Sequence, residues 1–129
     1  MATNYKFNNG GNNADFSDVF IPVDAFAQGG LWAWGQNDYG QLGNNVPGNI
    51  ITSSPVQTIA GGIIWKQVSA GQFVTSAIKT DGTLWTWGYN AQGQLGDNTI
   101  VNKSSPIQTV AGGTNWKKVA VTQYSSAAI

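Results

Sequence analysis

Four residue types are missing from this chain of 129 residues: Cys, His, Arg and Glu. Without cysteine there are no disulfides and no thiolate metal sites, and the redox compartment cannot be read from cysteine usage. Without histidine or glutamate, general acid–base chemistry near neutral pH would fall to aspartate alone. Six Lys balance six Asp, giving a formal net charge of zero and a charged fraction of 9%, far below the usual quarter or so. Lys117 and Lys118 are the one adjacent basic pair, too little to neutralise a run of phosphates, so no nucleic-acid partner is expected. The start, with Lys6 and a polar stretch to Asn13, lacks the apolar core of a signal peptide, and no apolar run reaches membrane-spanning length. The expectation is therefore a protein made in the cytoplasm, without membrane insertion.

Glycine and tryptophan are plentiful, and they recur in register. Leu31-Trp32-Ala33-Trp34-Gly35-Gln36-Asn37-Asp38-Tyr39-Gly40-Gln41-Leu42-Gly43 returns 53 residues later as Leu84-Trp85-Thr86-Trp87-Gly88-Tyr89-Asn90-Ala91-Gln92-Gly93-Gln94-Leu95-Gly96. Ser53-Ser54-Pro55-Val56-Gln57-Thr58 returns 51 residues later as Ser104-Ser105-Pro106-Ile107-Gln108-Thr109, so the first copy holds two extra residues within 44–52. Trp65-Lys66 and Trp116-Lys117 keep the 51-residue spacing, as do Ala77-Ile78 and Ala128-Ile129. A fixed period of this length marks stacked units that cannot each bury both faces alone.

Within each copy, glycine punctuation separates short strands. In the first, residues 31–35, 56–60, 65–69 and 73–79 are the candidates. Thr80-Asp81-Gly82 is a hairpin signal that joins one copy to the next. Alternation places Trp85 and Trp87 on one face, to be buried or stacked on a neighbouring sheet. The loop carrying Gly88, Asn90, Gly93 and Gly96 turns sharply, with Leu95 anchoring it by burial.

The string Leu-Trp-x-Trp-Gly-x-Asn-x-x-Gly-Gln-Leu-Gly, followed by Ser-Ser-Pro, Trp-Lys-x-Val and a small-residue strand ending Ala-Ile, resembles the regulator-of-chromosome-condensation repeat over about 30–129. That resemblance implies an all-β protein: two antiparallel four-stranded propeller-type blades, part of a β-propeller or of one completed by oligomerisation, behind an N-terminal arm. The corresponding division is 1–29 for the arm, 30–81 for the first repeat and 82–129 for the second, the last incomplete at its C-terminal edge. Founding members bind nucleosomes and catalyse nucleotide exchange on a small GTPase through particular loops; nothing here matches those loops as a whole, so no functional residue is carried over. The Ser-Ser-Pro-Val-Gln-Thr flavour, with Gly-Gly before Trp, is similar to repeats in bacterial and phage proteins, including virion and tail-fibre proteins.

The first copy lacks the hairpin partner that residues 73–79 supply to the second, while residues 124–129 lack the Trp strand that follows 73–79. Leu31, Trp32 and Trp34 at one end, and Tyr124, Ala128 and Ile129 at the other, are thus candidate assembly edges. Three readings stay open: the front of a longer propeller, head-to-tail association of copies, or a fragment held against an unrelated partner. In the arm, Asn8 to Asn13 reads as a linker, and Phe16, Phe20 and Phe26 as a docking segment that either caps the first blade or anchors the chain to a larger assembly.

No catalytic, cofactor or metal residue is expected. Asp81 belongs to a turn, Asp38 and Asp97 are not equivalent, and Asp15, Asp18 and Asp24 lack calcium-loop spacing. Gly61-Gly62 and Gly112-Gly113 read as turns rather than phosphate cradles, since no helix with a Gly-Lys-Ser/Thr ending follows. The six tryptophans suit core packing better than sugar stacking. The function that follows is a non-enzymatic structural or recognition module, on a virion or extracellular surface, whose partners are other virion or assembly proteins or further copies of itself. The alternative is a carbohydrate- or peptide-binding propeller that recognises a surface glycan through loops after the Trp strands.

Overall fold

The computed structural model of the chain describes residues 30–46, 48–59 and 65–129. These form eight strands: β1 Trp32–Gln36, β2 Ile51–Gln57, β3 Trp65–Ala70, β4 Val74–Lys79, β5 Leu84–Gly88, β6 Lys103–Gln108, β7 Val119–Val121 and β8 Ser126–Ala128. All pairing is antiparallel, as the all-β reading requires.

The strands are not shared out as two closed four-stranded blades. One complete sheet has the order β3-β4-β5-β6, flanked by the two-stranded sheets β1-β2 and β7-β8. The sheet is out of phase with the sequence repeat: β3 and β4 come from the first copy, β5 and β6 from the second. The hairpin at the copy boundary is the reason. Asp81 Oδ1 accepts from both the amide and the hydroxyl of Thr83, at 2.9 and 2.6 Å. Gly82 closes the turn at a φ of 81°, where a Cβ would overlap the Thr114 carbonyl. β4 and β5 then pair in unbroken register from Val74 opposite Gly88 to Ile78 opposite Leu84. The expected Asp-Gly hairpin between copies is present, and it makes the complete sheet straddle them.

The second strand begins earlier than 56–60: β2 starts at Ile51 and ends at Gln57. The candidate strand starts after Pro55, whereas Pro55 lies at a bulge inside β2. Ala33 faces Val56 and Gly35 faces Thr52, so the Ser-Ser-Pro segment bows out opposite Trp34. The second copy repeats this, with Thr86 opposite Ile107 and Gly88 opposite Lys103. A bulge on an outer strand is where proline's missing donor does least harm.

β5 is covered on both faces, which alternation alone does not foretell: Leu84, Thr86 and Trp87 are buried and Trp85 is half-buried. The Lys79 ammonium lies 3.8 Å from the Trp85 ring centroid, so an aliphatic stem and a cation cover what a neighbouring sheet would. The compact apolar cluster is Ile78, Leu84 and Val119, packed against Trp116, Val121 and Ala128. It lies between the complete blade and the half-blade that follows, so it is an inter-blade core. Phe16, Phe20 and Phe26 lie outside the described residues.

Candidate interaction surface

The junction between β1-β2 and the complete blade shows how one unit receives the next. The loop after β1 exposes a single carbonyl, that of Gln41, to the following blade. Trp87 Nε1 donates to it at 2.9 Å and Thr75 Oγ1 at 2.8 Å. The Gln41 side chain, buried, accepts from the Tyr39 amide and reaches the Gln72 carbonyl at 3.5 Å. Trp87 slides so close to the loop backbone that a Cβ on Gly43 would lie 2.7 Å from its Nε1. Beside this, Tyr39 meets Phe73 edge-on (4.9 Å between centroids) and Tyr89 at a tilt (4.7 Å).

The next junction begins the same way and stops halfway. Gln94, equivalent to Gln41, accepts from the Gln92 amide and reaches the Gln123 carbonyl at 3.4 Å. Gln67 on β3 exchanges two hydrogen bonds with the Val119 backbone, at 3.0 and 3.3 Å, and Ser69 accepts from the Val121 amide. Among the described residues, however, no tryptophan reaches the Gln94 carbonyl, and a Cβ on Gly96 would meet only a Thr109 methyl at 3.9 Å.

Both loops are held by a buried asparagine. Asn90 Oδ1 accepts from the Leu95 amide, and its Nδ2 reaches Asp97, Thr99 and the Val101 carbonyl at 2.9 to 3.3 Å. Asn37 does the same more sparingly for the first loop, through Leu42, Asn44 and Val46. Asp97 also pairs with Lys103 at 3.4 Å. Burial pushes the Asp97 carboxyl up, but hydrogen bonds from Thr99, Asn90 and Lys103 outweigh it and hold the group below its ordinary value. Asp81 is lowered chiefly by the Thr83 hydroxyl and amide. Both shifts belong to turn architecture. Among the described residues no three His, Cys, Asp or Glu gather as a metal site, and no helix is long and apolar enough to cross a membrane.

Of the sequence-derived edge residues, Leu31 is half-buried, Trp32 and Trp34 stand exposed on β1, and Tyr124 and Ile129 are exposed beside β8, where Ala128 is half-buried. The two exposed tryptophans depart from the expectation that strand tryptophans are core: the neighbour that would cover them is not among the described residues. Beside them lies a groove of about 350 Å³ lined by Leu31, Trp32, Trp34, Val68, Ala70, Gln72 and their neighbours. Sequence reasoning missed Gln41 and Gln94, although their recurrence in Gly-Gln-Leu-Gly was the available signal. It also missed an apolar rim: Ile50 and Ile51 before the first Ser-Ser-Pro, and Ile100 and Val101 before the second, all exposed.

A family model for the regulator of chromosome condensation (RCC1) repeat matches residues 28–78 and 81–129, and a second model of that repeat matches 65–94. The mouse probable E3 ubiquitin-protein ligase HERC4 is 37% identical over 90 residues, which is 69% of this chain and 8% of that protein. The Arabidopsis thaliana ultraviolet-B receptor UVR8 is 34% identical over 56% of this chain and 17% of its own length. The chain thus spans a small part of the curated relatives it matches. Among solved structures, human WBSCR16 superposes with a TM-score of 0.64 at 28% identity, covering 78% of this chain and 26% of that one. Yeast RCC1 (Prp20), crystallised bound to Kap60, gives 0.64 at 21% identity, which speaks to the fold alone. Two matched repeats over nearly all the described residues, with blade geometry to go with them, place the chain in the RCC1 repeat family of β-propeller proteins.

Proposed function

We propose that the chain is a non-enzymatic protein-binding module, a rigid stack of RCC1 repeats that presents loop and edge surfaces to protein partners. The observation that carries this is the apolar rim. Ile51, the first residue of β2, is 80% exposed, and Val101, in the loop before β6 that buried Asn90 holds, is 60% exposed; Ile50 and Ile100 beside them are exposed too. Exposed aliphatic residues beside the same outer strand on successive repeats, with Ile50 and Val101 at equivalent places, are the surface a protein partner covers, and a held loop loses little entropy on binding. The finer form of the reading is attachment to a larger assembly such as a virion, outside the cell that makes it. Its support is the similarity of the Ser-Ser-Pro-Val-Gln-Thr repeat to phage and bacterial repeats.

The test places a photo-crosslinking residue at Ile51 or Val101 and, separately, at exposed Lys117. Specific protein adducts from the rim positions, lost on Ile50→Lys with Ile100→Lys, support the module. Equal labelling at all three positions refutes it. A glycan reading has one favouring observation, the exposed Trp32 and Trp34, which resemble a sugar-stacking platform. Glycan-array binding abolished by Trp32→Ala, with the fold retained, would establish that reading in place of the first.

A further inference from the structure

We infer that a cleft at the opposite end of the strands from the aliphatic rim binds an acidic segment of a protein partner, through Lys66 and Lys117. The inference rests on the protein-binding reading but stands on different residues, so the rim crosslinks and the titration that tests the cleft fail separately. β5 runs from the hairpin at 80–82, beside the cleft, to Gly88, which faces Lys103 just after the rim.

The recurrence of Trp65-Lys66 as Trp116-Lys117 has a structural cause on the lysine side. Trp65 faces Lys79 and Gln67 faces Ile78, so Lys66 is the additional residue of a bulge in β3. Before β7 the amides of Lys117 and Lys118 both donate to the Ile129 carbonyl, at 2.7 and 3.1 Å, and the Lys118 carbonyl accepts from the Ile129 amide. Lys117 is thus the additional residue in the same way. A bulge re-aims the side chain it carries. Both lysines are exposed, and both line one cleft of about 520 Å³ together with Thr80, Thr114, Asn115 and Trp116.

The charge in this cleft is of one sign. Among the described residues Lys103 pairs with Asp97 and Lys79 lies over the Trp85 ring, whereas neither Lys66 nor Lys117 makes an ion pair. Asp81 sits between Thr80 and Gly82 but does not line the cleft, and its Oδ1 is taken up by the Thr83 amide and hydroxyl. The frame is held in place. The Trp116 amide donates to the Gly82 carbonyl at 3.2 Å and its indole to the Gly112 carbonyl at 2.8 Å, so the half-buried ring is a fixed apolar wall.

A volume of this order holds a short segment rather than a lone ion. The two ammonium groups belong to successive repeats, so they present separate point charges, which match carboxylates spaced along an extended segment. The Thr80 and Thr114 hydroxyls and the Asn115 amide supply donors for that segment's carbonyls. Two lysines are too few to follow a nucleic-acid backbone. The crosslinker that stands in for Lys117 in the rim test takes away one of the two charges, so that position still serves as its control.

The probe is a short Glu-Gly repeat peptide titrated into the isotope-labelled chain, with the Gln-Gly peptide as its uncharged counterpart. Amide shifts are expected at 80–82 and 114–117 and at the Trp116 indole, with none from the Gln-Gly peptide. Lys66→Gln and Lys117→Gln should each weaken binding roughly two- to fivefold, the range of an exposed ion pair. Lys118→Gln removes the same charge outside the cleft and should leave binding unchanged. The amide spectrum of each variant shows directly that the fold is retained. Equal weakening by Lys118→Gln, shifts centred elsewhere, or no binding at millimolar peptide overturns the inference. So does inorganic phosphate that saturates the same residues as tightly as the peptide, or a single-stranded oligonucleotide that binds them more tightly.

Discussion

Trp87 and Trp34 hold the same place in the two repeats, yet Trp87 is wholly buried with its indole on the Gln41 carbonyl while Trp34 stands in solvent. The same Leu-Trp-x-Trp-Gly motif gives opposite environments because burial at this position depends on the neighbouring unit. Trp87→Ala should therefore cost about 3–5 kcal/mol, the usual toll of emptying a large aromatic site. Trp34→Ala should cost under about 1 kcal/mol in the dilute chain, as exposed substitutions do. Chemical denaturation of the two variants at low concentration measures the difference, and equal costs would show that the two repeats are not packed as described.

Asn90 carries more of its loop than Asn37 does. Asn90→Ala leaves the Leu95 amide and the Thr99 and Val101 carbonyls without their side-chain partner, a loss of about 2–3 kcal/mol. Asn37→Ala should cost less. Limited proteolysis should show new cleavage within residues 97–102 for the first variant and within 44–50 for the second.

Ser76 is buried with no hydrogen-bond partner for its hydroxyl among the described residues, and the equivalent residue in the second repeat is Ala127. Ser76→Ala removes an unsatisfied polar atom without opening a cavity of consequence. It should raise stability by roughly 1 kcal/mol. A lower melting temperature for this variant would mean that the hydroxyl is satisfied in solution.

Acid should loosen the loop after β5. The Asp97 carboxyl is held below its ordinary value in the folded chain, so it contributes stability at pH values above the unfolded-state pKa. That contribution fades as pH falls through the folded-state value, below about pH 4. Asp97→Asn should be less stable than the parent at neutral pH, and the gap should narrow on acidification. A gap that stays constant from pH 7 to 3 would show that the Thr99, Asn90 and Lys103 contacts do not favour the ionised form.

Much of this architecture was legible in the residues. Strict recurrence of Trp-x-Trp-Gly and Gly-Gln-Leu-Gly gave the repeat, and Asp81-Gly82 gave the hairpin between copies, because both signals are local. The extent of β2 was not legible, since Pro55 looks like a terminator when the bulge that accommodates it depends on pairing with β1. Nor was the exposure of Trp32 and Trp34, which depends on a unit that alternation within one strand cannot describe. The role of Gln41 lies partly in its backbone carbonyl, which accepts from Trp87 and Thr75 and to which side-chain chemistry gives no pointer. The aliphatic pairs at Ile50 and Ile100 were visible as residues, but their exposure follows only from the positions of the loops.

The central claim is that each repeat is buried by its neighbour, through the Trp87 indole on the Gln41 carbonyl and the Gln67 side chain on the Val119 backbone. Hydrogen exchange of the indole N–H groups in the folded chain tests it most directly. The account predicts that the Trp87 indole N–H is strongly protected while that of exposed Trp34 exchanges freely. Equal exchange at the two positions would contradict it.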